Sequence, residues 1–200
     1  MEQYVIITGD IVNSRTIDSK RWLVILEDTL KKVSLKFDIF RGDSFQAELR
    51  IDKCLEAVFY IKSRIKTLAG LDVRIGLGIG KIDYRDEHIK KSSGDAFLYS
   101  GEAFDVLNKE LIFVKSSFVE WDRLANTMLT IAIELANRWT VNMAETVAAY
   151  IEQPNYNQHE LAGLLKRKYQ SQISTELGKA NWLKIKSAID YCQGKLMETL

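Results

Sequence analysis

The sequence is poor in the residues that mark loops, staples and metal centres: its 200 residues include one proline, two cysteines and two histidines. With 46% hydrophobic and 28% charged residues, that composition argues against disorder and for one or two packed cores. Cys54 and Cys192 stand far apart in apolar helical patterns, which argues against a disulfide framework or a zinc cluster and predicts buried, reduced thiols. His88 has no second His or Cys at ligand spacing, and His159 reads as a surface helix residue. No apolar run nears the roughly 20 residues of a membrane span. The start, Met1-Glu2-Gln3-Tyr4, has no basic region followed by an apolar one, so the expectation is a cytoplasmic protein without membrane contact. A net charge of +1 excludes strong attraction of the whole molecule to nucleic acid. Charge is nevertheless segregated, because residues 153–200 hold seven Lys/Arg against four Asp/Glu and the remainder comes to −2.

Strand and helix signals alternate over residues 1–115, whereas residues 116–200 read as helix almost throughout. Residues 3–9 form a short β-branched apolar run ending at Gly9-Asp10, the pattern of a strand buried on both faces. Ser19 then caps a helix with Trp22, Ile25, Leu26, Leu30 and Val33 on one stripe. Alternating segments at 37–39 and 45–49 flank Arg41-Gly42-Asp43-Ser44, which predicts a hairpin with Asp43 at its tip. Asp52 caps a second helix carrying Cys54, Val58, Ile61, Ile65 and Leu68 and stopping at Ala69-Gly70. Residues 73–80 alternate strictly, with Val73, Ile75, Leu77 and Ile79 on one face and glycines on most of the other, and the glycines point to close approach of a helix or of a ligand, helix packing being the favoured cause. Lys81 to Ser93 has no apolar period and reads as a mobile excursion before a helix over roughly 94–109 and a strand at 111–114. Ser117 and Glu120 form a capping-box pattern for a long helix whose Trp121, Leu124, Met128, Ile131 and Leu135 recur at heptad-like spacing. That stripe fits packing on its own domain or a homodimer contact.

Asp10 and Asp43 fall at one sheet edge when a hairpin lies beside the first strand. Two carboxylates brought that close repel unless a proton or a cation lies between them, and all-oxygen ligation suits Mg²⁺ or Mn²⁺. Taken singly, Asp10 reads equally well as a turn cap and Asp43 as an ordinary turn residue beside Gly42. Asn13, Ser14 and Arg15 follow, with backbone amides and a cation suited to phosphate, although a solvated loop explains Arg15 as well.

Thr8-Gly9-Asp10-Ile11-Val12-Asn13-Ser14 resembles the first-strand aspartate motif of class III nucleotide cyclases, and Arg41-Gly42-Asp43-Ser44-Phe45 resembles their Gly-Asp hairpin. Those segments together with Ser93-Gly94-Asp95-Ala96-Phe97, Ser100-Gly101 and a helical C-terminus resemble the bacterial SatD family over nearly the whole chain. The cyclase resemblance implies that Asp10, the Ile11 carbonyl and Asp43 hold divalent ions on a nucleotide, with Arg41 and Ser44 beside the ligand. The departures from that pattern are as informative. The transition-state Asn and Arg, expected four and eight residues after a helical glycine, are missing: Gly94 leads to Leu98 and Glu102, and Gly101 to Asp105 and Lys109. Ile39 stands where a base-selecting lysine is expected. Binding without efficient cyclisation follows; in the enzymatic alternative, a divergent nucleotidyl cyclase or transferase, Asp105, Lys109 or Arg15 replaces the absent groups.

In the tail, Asn142 with Glu145 and Asn157 with Glu160 repeat the capping-box pattern, and Pro154-Asn155-Tyr156 is a break. The helix at 158–162 followed by Gln170-Ser171-Gln172-Ile173-Ser174 resembles a bacterial helix-turn-helix. Its groove face would show Gln170, Ser171, Gln172, Ser174, Thr175 and Lys179, with Lys166, Arg167 and Lys168 on the phosphate backbone. The expected architecture is α+β: a ferredoxin-like, nucleotide cyclase-like βαββαβ domain over 1–115, a linking or dimerisation helix over 116–140, and an all-helical helix-turn-helix domain over 141–200. The expected function is a cytoplasmic regulator that binds a nucleotide or other phosphorylated small molecule and contacts DNA as a homodimer. A protein-contact adaptor without enzymatic activity is the remaining alternative.

Overall fold

A computed structural model of the chain describes residues 2–107 and 111–200. It is a mixed α+β protein with one five-stranded sheet and, among the described residues, eight α-helices. The strands are β1 (Tyr4–Val12), β2 (Ser34–Phe40), β3 (Ser44–Leu49), β4 (Asp72–Gly80) and β5 (Ile112–Ser116). Their spatial order is β2-β3-β1-β4-β5, antiparallel throughout except for the parallel β4–β5 pair. The helices are α1 (Ser19–Val33), α2 (Cys54–Lys66), α3 (Asp95–Asp105), α4 (Val119–Asn137), α5 (Val141–Glu152), α6 (Gln158–Leu164), α7 (Gln170–Lys179) and α8 (Trp182–Thr199).

Period two sorts β1 between two faces. Val5, Ile7 and Ile11, with Ala47, Leu49, Val73, Ile75, Leu77 and Ile79, join the main core beneath α1 and α2. Ile6, Thr8 and Asp10 face the other side, where Ile6 packs with Ala96 of α3 and with Ile89. The glycine face of β4 is the seat of α3. A Cβ on Gly78 would stand 2.2 Å from the Ser100 nitrogen and 2.3 Å from the Ala96 oxygen, and one on Gly76 2.3 Å from the Phe104 nitrogen. Glycine lets the helix backbone lie directly on the strand.

The core continues from the sheet into the C-terminal helices as one hydrophobic cluster. α2, buried nearly all round, packs on α1, β4, α5 and α8. Phe59 of α2, Trp139 and Trp182 form an aromatic triangle with ring centroids 6.1–6.5 Å apart. Both cysteines are free and buried, as the composition indicates.

Several local expectations are corrected. β1 extends to Val12, because β4 pairs with it beyond the end of β3, so Asp10 lies inside the strand. The caps of α1, α4 and α5 are Asp18, Phe118 and Thr140, not Ser19, Ser117 or Asn142. Asp52 forms a fork with Arg50 and caps nothing at α2. The Asn157–Glu160 box is present in full. α4 turns its alanine-rich side inward: Trp121, Ala125, Leu129, Ala132 and Ala136 are buried while Ile131 is exposed, because small side chains let β5 and α8 approach. The 81–93 excursion is anchored by Ile89, by a Tyr84–Ser93 bridge and by the fork of Arg85 on buried Glu48. No helix among the described residues is long and apolar enough to cross a membrane.

Candidate functional site

An open cleft of about 570 Å³ lies where β1 leaves its pairing with β3. It is lined by Asp10 to Thr16 together with Asp43, Arg74 and Leu111, so the chain folds six of the sequence-predicted residues into one place: Asp10, Ile11, Asn13, Ser14, Arg15 and Asp43. The Ile11 amide donates to the Asp43 carbonyl at 3.1 Å and clamps the hairpin tip to the strand. Asn13 takes a left-handed conformation, φ 62°, and its side-chain amide donates to the Gly70 carbonyl. That turn opens a short 3₁₀ segment over Ser14–Thr16, and the Trp22 indole holds it by donating to the Ser14 carbonyl at 3.2 Å. Arg15 projects from this segment into solvent at the cleft rim.

Each carboxylate has a hydrogen-bond donor of its own. The Ser14 hydroxyl donates to Asp43 at 2.5 Å. Asp10 sits between Ser44 on β3 and Arg74 on β4 in the cross-strand register. Arg74 grips it in a bidentate fork, Nε to Oδ1 at 2.9 Å and Nη2 to Oδ2. The Phe104 ring lies 5.3 Å from the guanidinium carbon, in cation–π range. The hydrogen bonds to Asp10, and then the charges of Asp10 and Asp43, raise the Arg74 pKa against the opposing effect of burial. Sequence reading missed Arg74 as a site residue. The available signal was its place on the glycine face of β4, but pairing it with Asp10 requires the strand register.

As arranged, these residues do not fit a divalent ion. Both oxygens of Asp10 are taken by Arg74, and among the described residues no group of three or more His, Cys, Asp or Glu side chains is placed to hold a metal. Ser44 lies opposite Asp10 without lining the cleft, and Arg41, φ 52°, is exposed on the hairpin turn and does not line it either. Asp105 is exposed at the end of α3, and Lys109 lies outside the described residues.

In the tail, α5, α6 and α7 pack together, with Ile173 and Leu177 of α7 turned inward. Gln170, Ser171, Gln172, Ser174, Thr175 and Lys179 form the exposed side of α7, and Lys166 and Lys168 are exposed just before it. Gln170 pairs with the Gln158 side chain. Arg167 differs from its neighbours: its side chain is 15% exposed and its guanidinium joins Glu145 at 2.9 Å to Glu176 at 3.2 Å, which braces the helices.

No curated protein matches the chain. The model of the SatD family matches residues 4–186, from the first strand through the start of α8. That match spans the cleft and the tail alike, and the chain belongs to the SatD family.

Proposed function

We propose that this protein is a regulator that binds a phosphorylated small molecule, a nucleotide by preference, in the cleft at the end of β1 and contacts DNA through α7. The observation that carries the reading is the convergence in one cleft of Arg15, the left-handed turn at Asn13 and the clamped Asp10 and Asp43 segments. An anion there meets the Arg15 and Arg74 guanidinium groups at a strand end, a phosphate-binding chemistry that needs no transition-state machinery. The strand order β2-β3-β1-β4, with α1 and α2 on one face, supports a ferredoxin-like, cyclase-like unit extended by β5. For the second half of the reading, α7 offers a polar, exposed side flanked by Lys166, Lys168 and Lys179 on a three-helix unit of helix-turn-helix character. A homodimer suits two DNA half-sites, and exposed Val119 and Ile131 on α4 supply an apolar contact for it.

Thermal melting against ATP, GTP and inorganic pyrophosphate tests the cleft, since a ligand at a hundredfold its Kd adds about 2.7 kcal/mol to the native state. The expected result is a rise in Tm that Arg15→Ala diminishes; no rise with any of the three removes the reading. For α7, duplex-DNA anisotropy should weaken with salt and with Lys166→Glu plus Lys168→Glu. Salt-independent binding, or none, would leave the three-helix unit a protein-contact module.

A further inference from the structure

Arg74 occupies the electrostatic position of a metal ion. A divalent cation needs carboxylate oxygens turned toward it at about 2.0–2.1 Å for Mg²⁺. Asp10 has both of its oxygens on one guanidinium, and Asp43 is held by Ser14. The fork is set by structure on three sides. Asp10 and Arg74 are direct cross-strand partners, Phe104 lies against the guanidinium, and Phe104 is there because Gly76 admits the α3 backbone at a distance no side chain would allow. A guanidinium stays charged at every physiological pH, so the compensation of Asp10 is permanent. With Arg15 at the rim, the four charged side chains of the cleft balance, two carboxylates against two guanidinium groups. Among the described residues, Nη1 of Arg74 makes no hydrogen bond, and the side chain is 37% exposed.

We propose that Arg74 is the resident cation of this cleft: it neutralises Asp10 in place of a divalent metal, so that anions bind without metal, and a divalent ion gains Asp10 only when the guanidinium is removed. The anion half rests on the ligand reading above, and the metal half stands without it.

The experiment is an Mn²⁺ titration of the full-length protein, followed by water-proton relaxation, in wild type, Arg74→Met, Arg74→Lys and the double variant Asp10→Asn/Arg74→Met. Wild type and Arg74→Lys, which keeps a positive charge, should show no saturable site at millimolar Mn²⁺. Arg74→Met should bind about tenfold more tightly or better, and Asp10→Asn in that background should abolish the gain. A merely structural role for Arg74 moves stability in both single variants and creates no Mn²⁺ site in either. Saturable wild-type binding that Asp10→Asn removes overturns the proposal, as does a folded Arg74→Met that gains nothing. Should Arg74→Met fail to fold, the wild-type titration decides: an Asp10-dependent site overturns the assignment, and its absence beside a normal Arg74→Lys upholds it. In parallel, the shift in Tm with pyrophosphate should be equal in EDTA and in Mg²⁺. A shift that appears only with Mg²⁺ overturns metal independence. No shift at all, together with the expected Mn²⁺ pattern, upholds the resident cation and defeats the ligand reading instead.

Discussion

Lys62 lies wholly inside α2, with its ammonium donating to Asp72 at 2.6 Å and to the Asn137 side chain at 2.9 Å. Burial lowers its pKa to about 8 despite the opposing pull of Asp72. Lys66 donates to the other Asp72 oxygen at 3.0 Å, so one carboxylate serves two amines. The ordinary lysine value is 10.5, so between about pH 8 and pH 10.5 the unfolded chain holds a proton at this position that the native one has released. Stability from this site should therefore rise with pH through that window, by about 3 kcal/mol in all. Urea denaturation of wild type and Lys62→Met at pH 7.5 and pH 10.5 checks it: the wild-type curve should gain on the variant toward high pH, and parallel curves would refute the assignment. Residue identity alone did not announce this site, because a lysine inside an apolar helical stripe reads as a solvent-facing turn until the packing partners are known. Asp10 and Arg74 show the same limit. Each charge is visible in the sequence, whereas their pairing lives in the β1–β4 register. Arg167 shows it too, since a basic Lys-Arg-Lys triplet looks uniformly free while its middle member is paired with Glu145 and Glu176.

Among the elements, the α3–β4 contact was legible because its cause is a composition pattern, three glycines on alternate positions of a strand. The same contact yields a sharp test. Gly78→Ala puts a Cβ against α3 backbone atoms, which no rotamer change relieves, so it should cost about 1–3 kcal/mol. Gly101→Ala, in the middle of α3 with nothing within 4 Å of the added Cβ, should be neutral or stabilise by about 0.5–1 kcal/mol. Equal effects in chemical denaturation would show that helix propensity and not close approach governs the site. Helix starts were less legible. A Ser or Asn followed three residues later by Glu occurs at Ser117, Asn142 and Asn157, and only the last forms the box. At α4 the competing device is Asp122, which reaches back to both the amide and the hydroxyl of Ser116 and fixes the chain as it leaves β5. The predicted stripe of α4 does face the core, with Trp121 buried and Leu124, Met128 and Leu135 partly buried against it; Ile131 alone is exposed, and a search for large apolar residues passes over the buried alanines beside the stripe.

At the scale of the molecule, the sheet and the C-terminal helices are joined by apolar contact as well as by chain. Trp121 of α4 donates from its indole to the Cys192 carbonyl of α8, and Trp139, just past the end of α4, donates to the Ala180 carbonyl at the end of α7. Gln193 of α8 donates to the Ile51 carbonyl and accepts from the Cys54 thiol, whose pKa burial pushes up to about 12. A change of composition at residue 116 was visible in the sequence, but these cross-contacts are not periodic and leave no local trace. Continuous burial of this kind predicts cooperative unfolding. The four tryptophans sample it well: Trp22 on α1 against the sheet, Trp121 in the first turn of α4, Trp139 between α4 and α5, and Trp182 at the start of α8. In protein labelled with 5-fluorotryptophan, the four native fluorine resonances should fade with one urea midpoint. Phe59→Ala, which removes one corner of the aromatic triangle, should cost about 3–5 kcal/mol and lower all four midpoints together. If Trp182 and Trp139 melted early while Trp22 persisted, the helical tail would be a separate cooperative unit, and a signal from the cleft could reach α7 only through docking and undocking. A single midpoint means instead that whatever binds near Arg74 stabilises the three-helix unit by the same free energy, because neither can open without the other.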